Sequence, residues 1–148
     1  ASLVVVGDGP QRRELEYAIR GRRNILFSGP LNSSEVLRAL SESKGLIFPS
    51  VWLESAPSLV YVEALSIGLP VVALAGNAVA EDIQRSHAGV VVETLDKISE
   101  GLATAERLSE ELGRKGKRRF SERFSVEPWL QATVETYGEA VNDYQNSF

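Results

Sequence analysis

A glutamate one turn into a short helix, behind a loop that ends a strand, is the place in this sequence where residue types and spacing could do chemistry. The helix opens at about Ser58, and Glu63 follows within it. The first backbone N–H groups of a helix have no partner inside it and lie at the positive end of its dipole. A loop that closes a strand and opens such a helix therefore offers a seat to an anion. The amides left free here are those near Ser58, Leu59 and Val60. Helical side chains lean toward the N-terminus, so the Glu63 carboxylate can reach over the same place. A carboxylate beside a phosphate is a poor phosphate ligand but a good acceptor for sugar hydroxyls. Together the two features point to a phosphorylated sugar or a nucleotide. The plainer alternative is an ordinary βα unit with a solvated glutamate.

The flanking elements are those that would hold such a site. Gly45–Phe48 is a short apolar run that Pro49 stops, and the loop after it carries Trp52, Glu54, Ser55 and Pro57. From Ser58 the period turns helical, with Leu59, Val62, Leu65 and Ile67 expected toward a core. Gly68 and Pro70 supply stop signals for that helix. Val71–Leu74 is a β-branched run of the kind found in strands buried on both faces.

Taken together, residues 48–74 resemble the donor-binding core of the GT-B glycosyltransferases of family 4, the group 1 transferases. That pattern runs P-S, then E, then a small or glycine-rich loop, then L-V-x-x-E-A, then G-x-P-V-V-A. The sequence supplies Pro49-Ser50, Glu54, Pro57, Leu59-Val60, Glu63-Ala64, Gly68, Pro70 and Val71-Val72-Ala73. It departs in one respect: Glu54 and Glu63 stand one residue farther apart than the family's two glutamates. Either Ser58 is an added loop residue and Glu54 still serves, or Glu54 has moved out of its role.

The resemblance implies the C-terminal, donor-binding half of a retaining glycosyltransferase of the hexosyltransferase type, using a UDP- or GDP-linked sugar. Glu63 would accept hydrogen bonds from the ribose hydroxyls, and the amides of Ser58, Leu59 and Val60 would face the diphosphate. Glu54, as the catalytic-site carboxylate, would hold the hydroxyls of the donor sugar, with Ser55, Ala56 and Pro57 lining the same loop. The family's G-x-hydrophobic turn lies against the nucleotide base, and Gly29-Pro30-Leu31 matches it, which makes Gly29 and Leu31 substrate-binding candidates. A G-G-x-x-E segment is matched loosely by Gly76, Asn77 and Glu81. There Gly76 and Asn77 would approach the sugar by backbone, and Glu81 reads as a helix-start carboxylate. No metal or other cofactor is implied. An Arg/Lys pair that the family places on the diphosphate, a first strand and an acceptor domain would all precede residue 1. The expectation is thus a piece of a larger enzyme, covering most of one nucleotide-sugar-binding domain across residues 1–148, weak in donor binding by itself and inactive in transfer.

The remaining chain alternates in the same rhythm. Leu3–Val6 is a strand turned by Gly7-Asp8-Gly9-Pro10, and a helix follows from about Gln11 to Arg20 with Leu15 and Ile19 inward. The turn lacks the third glycine of a dinucleotide fingerprint. Asn24–Ser28 is a second strand, and Asn32 with Glu35 forms a capping-box signature for the next helix. A helix carries Val79 to Arg85, and Gly89–Val92 is the fifth strand. His87, the single histidine, sits in the turn between them and has no serine–aspartate or metal set around it. Leu95 to about Arg123 is helical, with a break near Ser109 or Gly113. The basic run Arg114–Arg119 on it reads as a solvated face, with anionic lipid or an acidic partner as the alternative. Glu127–Asp143 is a last amphipathic helix, with Trp129, Leu130, Val134, Tyr137 and Val141 on one face, part of it exposed.

Five short apolar segments alternating with helices argue for an α/β fold, a Rossmann-like parallel sheet with helices on both faces. Ligands in such sheets bind beyond the carboxyl ends of the strands. The net charge of −4 supplies no basic field for nucleic acid. Without cysteine there is no disulfide or thiol chemistry. No membrane span or signal peptide is visible, which fits the cytoplasm, including the inner face of the membrane. Two other readings stay open: a nucleotide-sugar epimerase of the same architecture, and a non-catalytic α/β binding module.

Overall fold

The computed structural model describes residues 2–52 and 56–146, with side chains to Tyr144. The chain divides into two compact units, one reaching to Glu42 and one from Ser43 onward. In the first, strand β1 (Leu3–Val6), helix α1 (Arg12–Ala18), strand β2 (Ile25–Gly29) and helix α2 (Ser33–Ser41) follow one another. β1 and β2 pair in parallel, Leu3 opposite Ile25, with a register shift between Val5 and Val6. The expected capping box is present: the Asn32 side chain accepts from the Glu35 amide at 3.0 Å, and Glu35 accepts from the Asn32 amide at 2.8 Å. α1 buries no residue, and Leu15, expected inward, is 47% exposed. Four of its seven residues are charged, so its apolar stripe is too narrow to seat.

The second unit holds strand β3 (Leu46–Phe48), helix α3 (Leu59–Ile67), strand β4 (Val71–Leu74), helix α4 (Ala78–Ser86) and strand β5 (Gly89–Val92). A 3-10 turn, Leu95–Lys97, leads to helices α5 (Ile98–Arg107) and α6 (Ser109–Arg119), a π turn (Phe120–Phe124) and helix α7 (Val126–Asn146). The strands run parallel in the order β3-β4-β5, with Leu46 opposite Val71 and Val71 opposite Gly89. β4 lies in the middle and all four of its residues are buried, as its β-branched run predicts. Side chains alternate along a strand. Val72 and Leu74 pack with Val92, Ala105 and Leu112 beneath α5 and α6. Val71 and Ala73 face the other side, and Ile83 of α4 meets β5 at Gly89.

α3 turns Leu65 of its expected stripe inward, but Tyr61 and Ala64 in place of Leu59. Tyr61, Ala64 and Leu65 are fully buried, whereas Leu59 is 81% exposed and Val62 half-buried. The helix ends at Gly68, whose φ of 75° is left-handed and whose carbonyl oxygen would lie 2.7 Å from a Cβ on Gly113. That close approach draws α6 onto α3 and requires glycine on both sides. α7 leaves Trp129, Val134, Tyr137 and Val141 more than half exposed, as the expectation of a part-uncovered face requires. Among the described residues no helix is long and apolar enough to cross a membrane.

Candidate functional site

Two parallel βα units place the site. α3 follows β3 and α4 follows β4, so both helices begin beyond the carboxyl edge of the same sheet. Ser58 takes the N-cap position of α3 in extended conformation, φ −63° and ψ 147°. Its carbonyl accepts from the amides of Tyr61 at 3.1 Å and Val62 at 3.2 Å, while its hydroxyl caps nothing. The amides of Leu59 and Val60 therefore have no acceptor among the described residues. Glu63 sits one turn in, half-buried, and no described residue donates to its carboxylate or pairs with it. Helix-end amides without an acceptor among the described residues, and a carboxylate without a partner there one turn further in, can take phosphate oxygens and hydroxyls.

The loops after β3 and β4 are tied to one another by Asn77. Its Nδ2 donates to the carbonyls of Leu74 at 2.7 Å and Ser50 at 2.8 Å, and its Oδ1 accepts from the Ala80 amide at 3.0 Å. The side chain is thus fully engaged as the cap of α4, and only its backbone remains for a ligand. Gly76 beside it is exposed, with φ of 87° and open space where a Cβ would stand. A small open notch between these loops is lined by Phe48, Ser50, Trp52, Ala56, Asn77 and Val79. Trp52 is 75% exposed at its edge.

The other expected residues are distributed as follows. Pro57 and Ser58 are half-buried, Ala56 is exposed, and Val60 is half-buried. Gly29 ends β2 in the first unit, buried, with φ of 75°, and its carbonyl accepts from the Gly7 amide at 2.9 Å; Leu31 follows half-buried. Glu54 and Ser55 lie outside the described residues. Glu81 stands in the first turn of α4 and pairs with Arg85 at 3.0 Å, a helix-start carboxylate as expected. His87 caps the end of α4 in left-handed conformation, φ 54°, exposed. Among the described residues no three His, Cys, Asp or Glu gather as a metal site would need.

Sequence reading missed the polar centre beneath the site. Asp82 of α4, only 4% exposed, accepts from the Tyr61 hydroxyl of α3 at 2.8 Å. Arg119 at the end of α6 donates to both Asp82 oxygens, Nε to Oδ2 at 3.2 Å and the other nitrogen to Oδ1. Burial pushes the Tyr61 hydroxyl well above its ordinary range, with Asp82 adding to the shift; the hydrogen bond to Asp82 raises Arg119 further. The Phe124 ring meets Tyr61 edge-on at 6.4 Å and lies 5.7 Å from the guanidinium carbon. Arg119 therefore departs from the solvated basic face expected of its run, because Asp82 on the core stripe of α4 demands a cation. Lys115 and Arg118 keep to that expectation, paired with Glu111 and Glu122. The missed signal was Asp82 itself, three residues after Val79 and beside Ile83 on the apolar face.

Residues 1–110 match the family described as Glycosyl transferases group 1. This chain belongs to that family. The group 1 chain is 28% identical over 145 residues to the O-antigen chain mannosyltransferase C of Escherichia coli, covering 91% of this chain and 38% of that protein. It is 32% identical over 89 residues to a sulfoquinovosyl transferase of Arabidopsis thaliana, covering 60% of this chain and 17% of the relative. Among solved structures, sucrose-phosphate synthase from Thermosynechococcus elongatus superposes with a TM-score of 0.81 at 20% identity, over 96% of this chain and 39% of that one. HepE of Anabaena, solved in complex with UDP, superposes with a TM-score of 0.80 at 19% identity, over 94% and 41%. The parallel α/β architecture is thus that of GT-B glycosyltransferases. The group 1 chain spans well under half the length of the relatives it matches.

Proposed function

We propose that the chain is the donor-binding part of a retaining glycosyltransferase, which moves a hexose-type sugar from a UDP- or GDP-linked donor to an acceptor. The observation that carries this reading is the start of α3: the Leu59 and Val60 amides without an acceptor among the described residues, and Glu63, one turn further in, without a partner there. The diphosphate gains charge as its bond to the sugar breaks. Fixed amides at a helix end stabilise that charge without reorganising. Glu63 accepts hydrogen bonds from the ribose hydroxyls. The backbone at Gly76 and Asn77 meets the donor sugar. Glu54 takes the hydroxyls of that sugar if its longer spacing allows. No step in this scheme asks for a metal ion.

The family match, a relative named for mannosyl transfer and a fold neighbour solved with UDP support the nucleotide-sugar class. Because the chain spans well under half the length of these relatives, it is expected by itself to hold nucleotide weakly and to transfer no sugar. Titration of the full natural chain with UDP and GDP tests the site. Glu63→Ala should weaken the preferred nucleotide by about 1–3 kcal/mol, the range for hydrogen bonds to a charged group. Equal affinities in wild type and variant would remove Glu63 from the site. Product analysis then separates transfer, which gives a glycoside, from epimerase chemistry, which gives free UDP and a free sugar.

A further inference from the structure

Buried ion pairs are weak sources of stability. Desolvating two charges offsets most of their attraction, and apolar residues of equal volume often hold a fold as well. What the Asp82 centre supplies is geometry. The Arg119 fork takes both carboxylate oxygens and the Tyr61 hydroxyl adds a third bond, so the three side chains share one arrangement. Two of the three elements so joined are α3 and α4, the helices that begin beyond the carboxyl edge of β3 and β4. One opens with the Leu59 and Val60 amides, which have no acceptor among the described residues. The other opens with Asn77, which holds the loop after β3 through the Ser50 carbonyl. Tyr61 and Glu63 share one nine-residue helix. A slide or rotation of α3 against α4 therefore carries Glu63 and the amides away from that loop together.

We propose that Asp82, acting through Tyr61 and Arg119, is a positioning residue for the nucleotide: it sets α3 against α4 and so places the Glu63 carboxylate and the Leu59 and Val60 amides over ribose and diphosphate. This rests on the nucleotide-sugar reading of the site. Tyr61→Phe removes one hydroxyl and keeps the ring against Phe124. Arg119→Lys keeps the charge and loses the fork. The test titrates the full natural chain as wild type, Tyr61→Phe, Arg119→Lys and Glu63→Ala with UDP and with GDP, and measures the melting temperature of each. Tyr61→Phe should weaken nucleotide binding about tenfold, on the scale of one well-placed hydrogen bond, with Arg119→Lys weakened similarly. Unchanged affinity in both variants, whatever their melting temperatures do, overturns the positioning role and leaves a merely structural one. Wild type that binds neither nucleotide overturns the site reading and this proposal with it; wild type that binds, with Glu63→Ala weakened and both centre variants unchanged, overturns the positioning role alone.

Discussion

Helices α3 and α4 arise from neighbouring strands of one parallel sheet, have nine residues each, and differ at their first turns. α4 is closed. Asn77 is 3% exposed, caps the Ala80 amide and spends both hydrogens of its amide group on carbonyls of the loops beside it. α3 is open. Ser58 has the extended backbone of a cap and a hydroxyl able to serve, yet it makes no cap bond, and the residue after it is 81% exposed. α2, with its reciprocal Asn32–Glu35 box, is closed like α4. A side-chain cap is not universal here, since α1, α5 and α6 also start without one, but of these uncapped helices only α3 starts from a serine able to cap it. The vacancy at α3 is where this account places the oxygens of a ligand.

That contrast can be broken at its root or sharpened at its edges. The largest effect is expected from Asp82→Ala, which severs the join between the two helices. Removing one partner of a buried pair leaves Arg119 and the Tyr61 hydroxyl without their acceptor and should lower stability by about 3–5 kcal/mol in denaturant unfolding. Asn77→Ala comes next. It opens the closed mouth and takes donors from the Ser50 and Leu74 carbonyls, so a loss of about 2 kcal/mol is expected. Ser58→Ala should be the mildest, within about 0.5 kcal/mol, because the hydroxyl caps nothing. Comparable losses for Asn77→Ala and Ser58→Ala would erase the distinction between the mouths.

Much of this was legible in the residues. Val71–Leu74 read as a central strand because four successive apolar residues, most of them β-branched, leave no face for water. The Asn32–Glu35 spacing announced its box, and Gly68 announced the end of α3. The inward face of α3 was not legible. Leu59, Val60, Tyr61, Val62, Ala64, Leu65 and Ile67 make it apolar nearly all round, so the helical period has little contrast to report. Packing chose the Tyr61–Leu65 side because Gly113 and Gly116 let α6 come close there. Asp82 and Arg119 stand 37 residues apart; Asp82 is marked by its place on the apolar stripe of α4, but nothing singles Arg119 out of its basic run. Only the fold makes them a pair. The free amides at the start of α3 were expected from strand, loop and helix in sequence, and among the described residues those of Leu59 and Val60 have no acceptor.

The most direct measurement follows backbone amide resonances of the full natural chain as UDP or GDP is added. The account predicts that the Leu59 and Val60 amides shift on binding while the Ala80 amide, already held by Asn77, stays in place. Shifts at Ala80 equal to those at Leu59 and Val60, or a bound nucleotide that leaves Leu59 and Val60 unmoved, would contradict it.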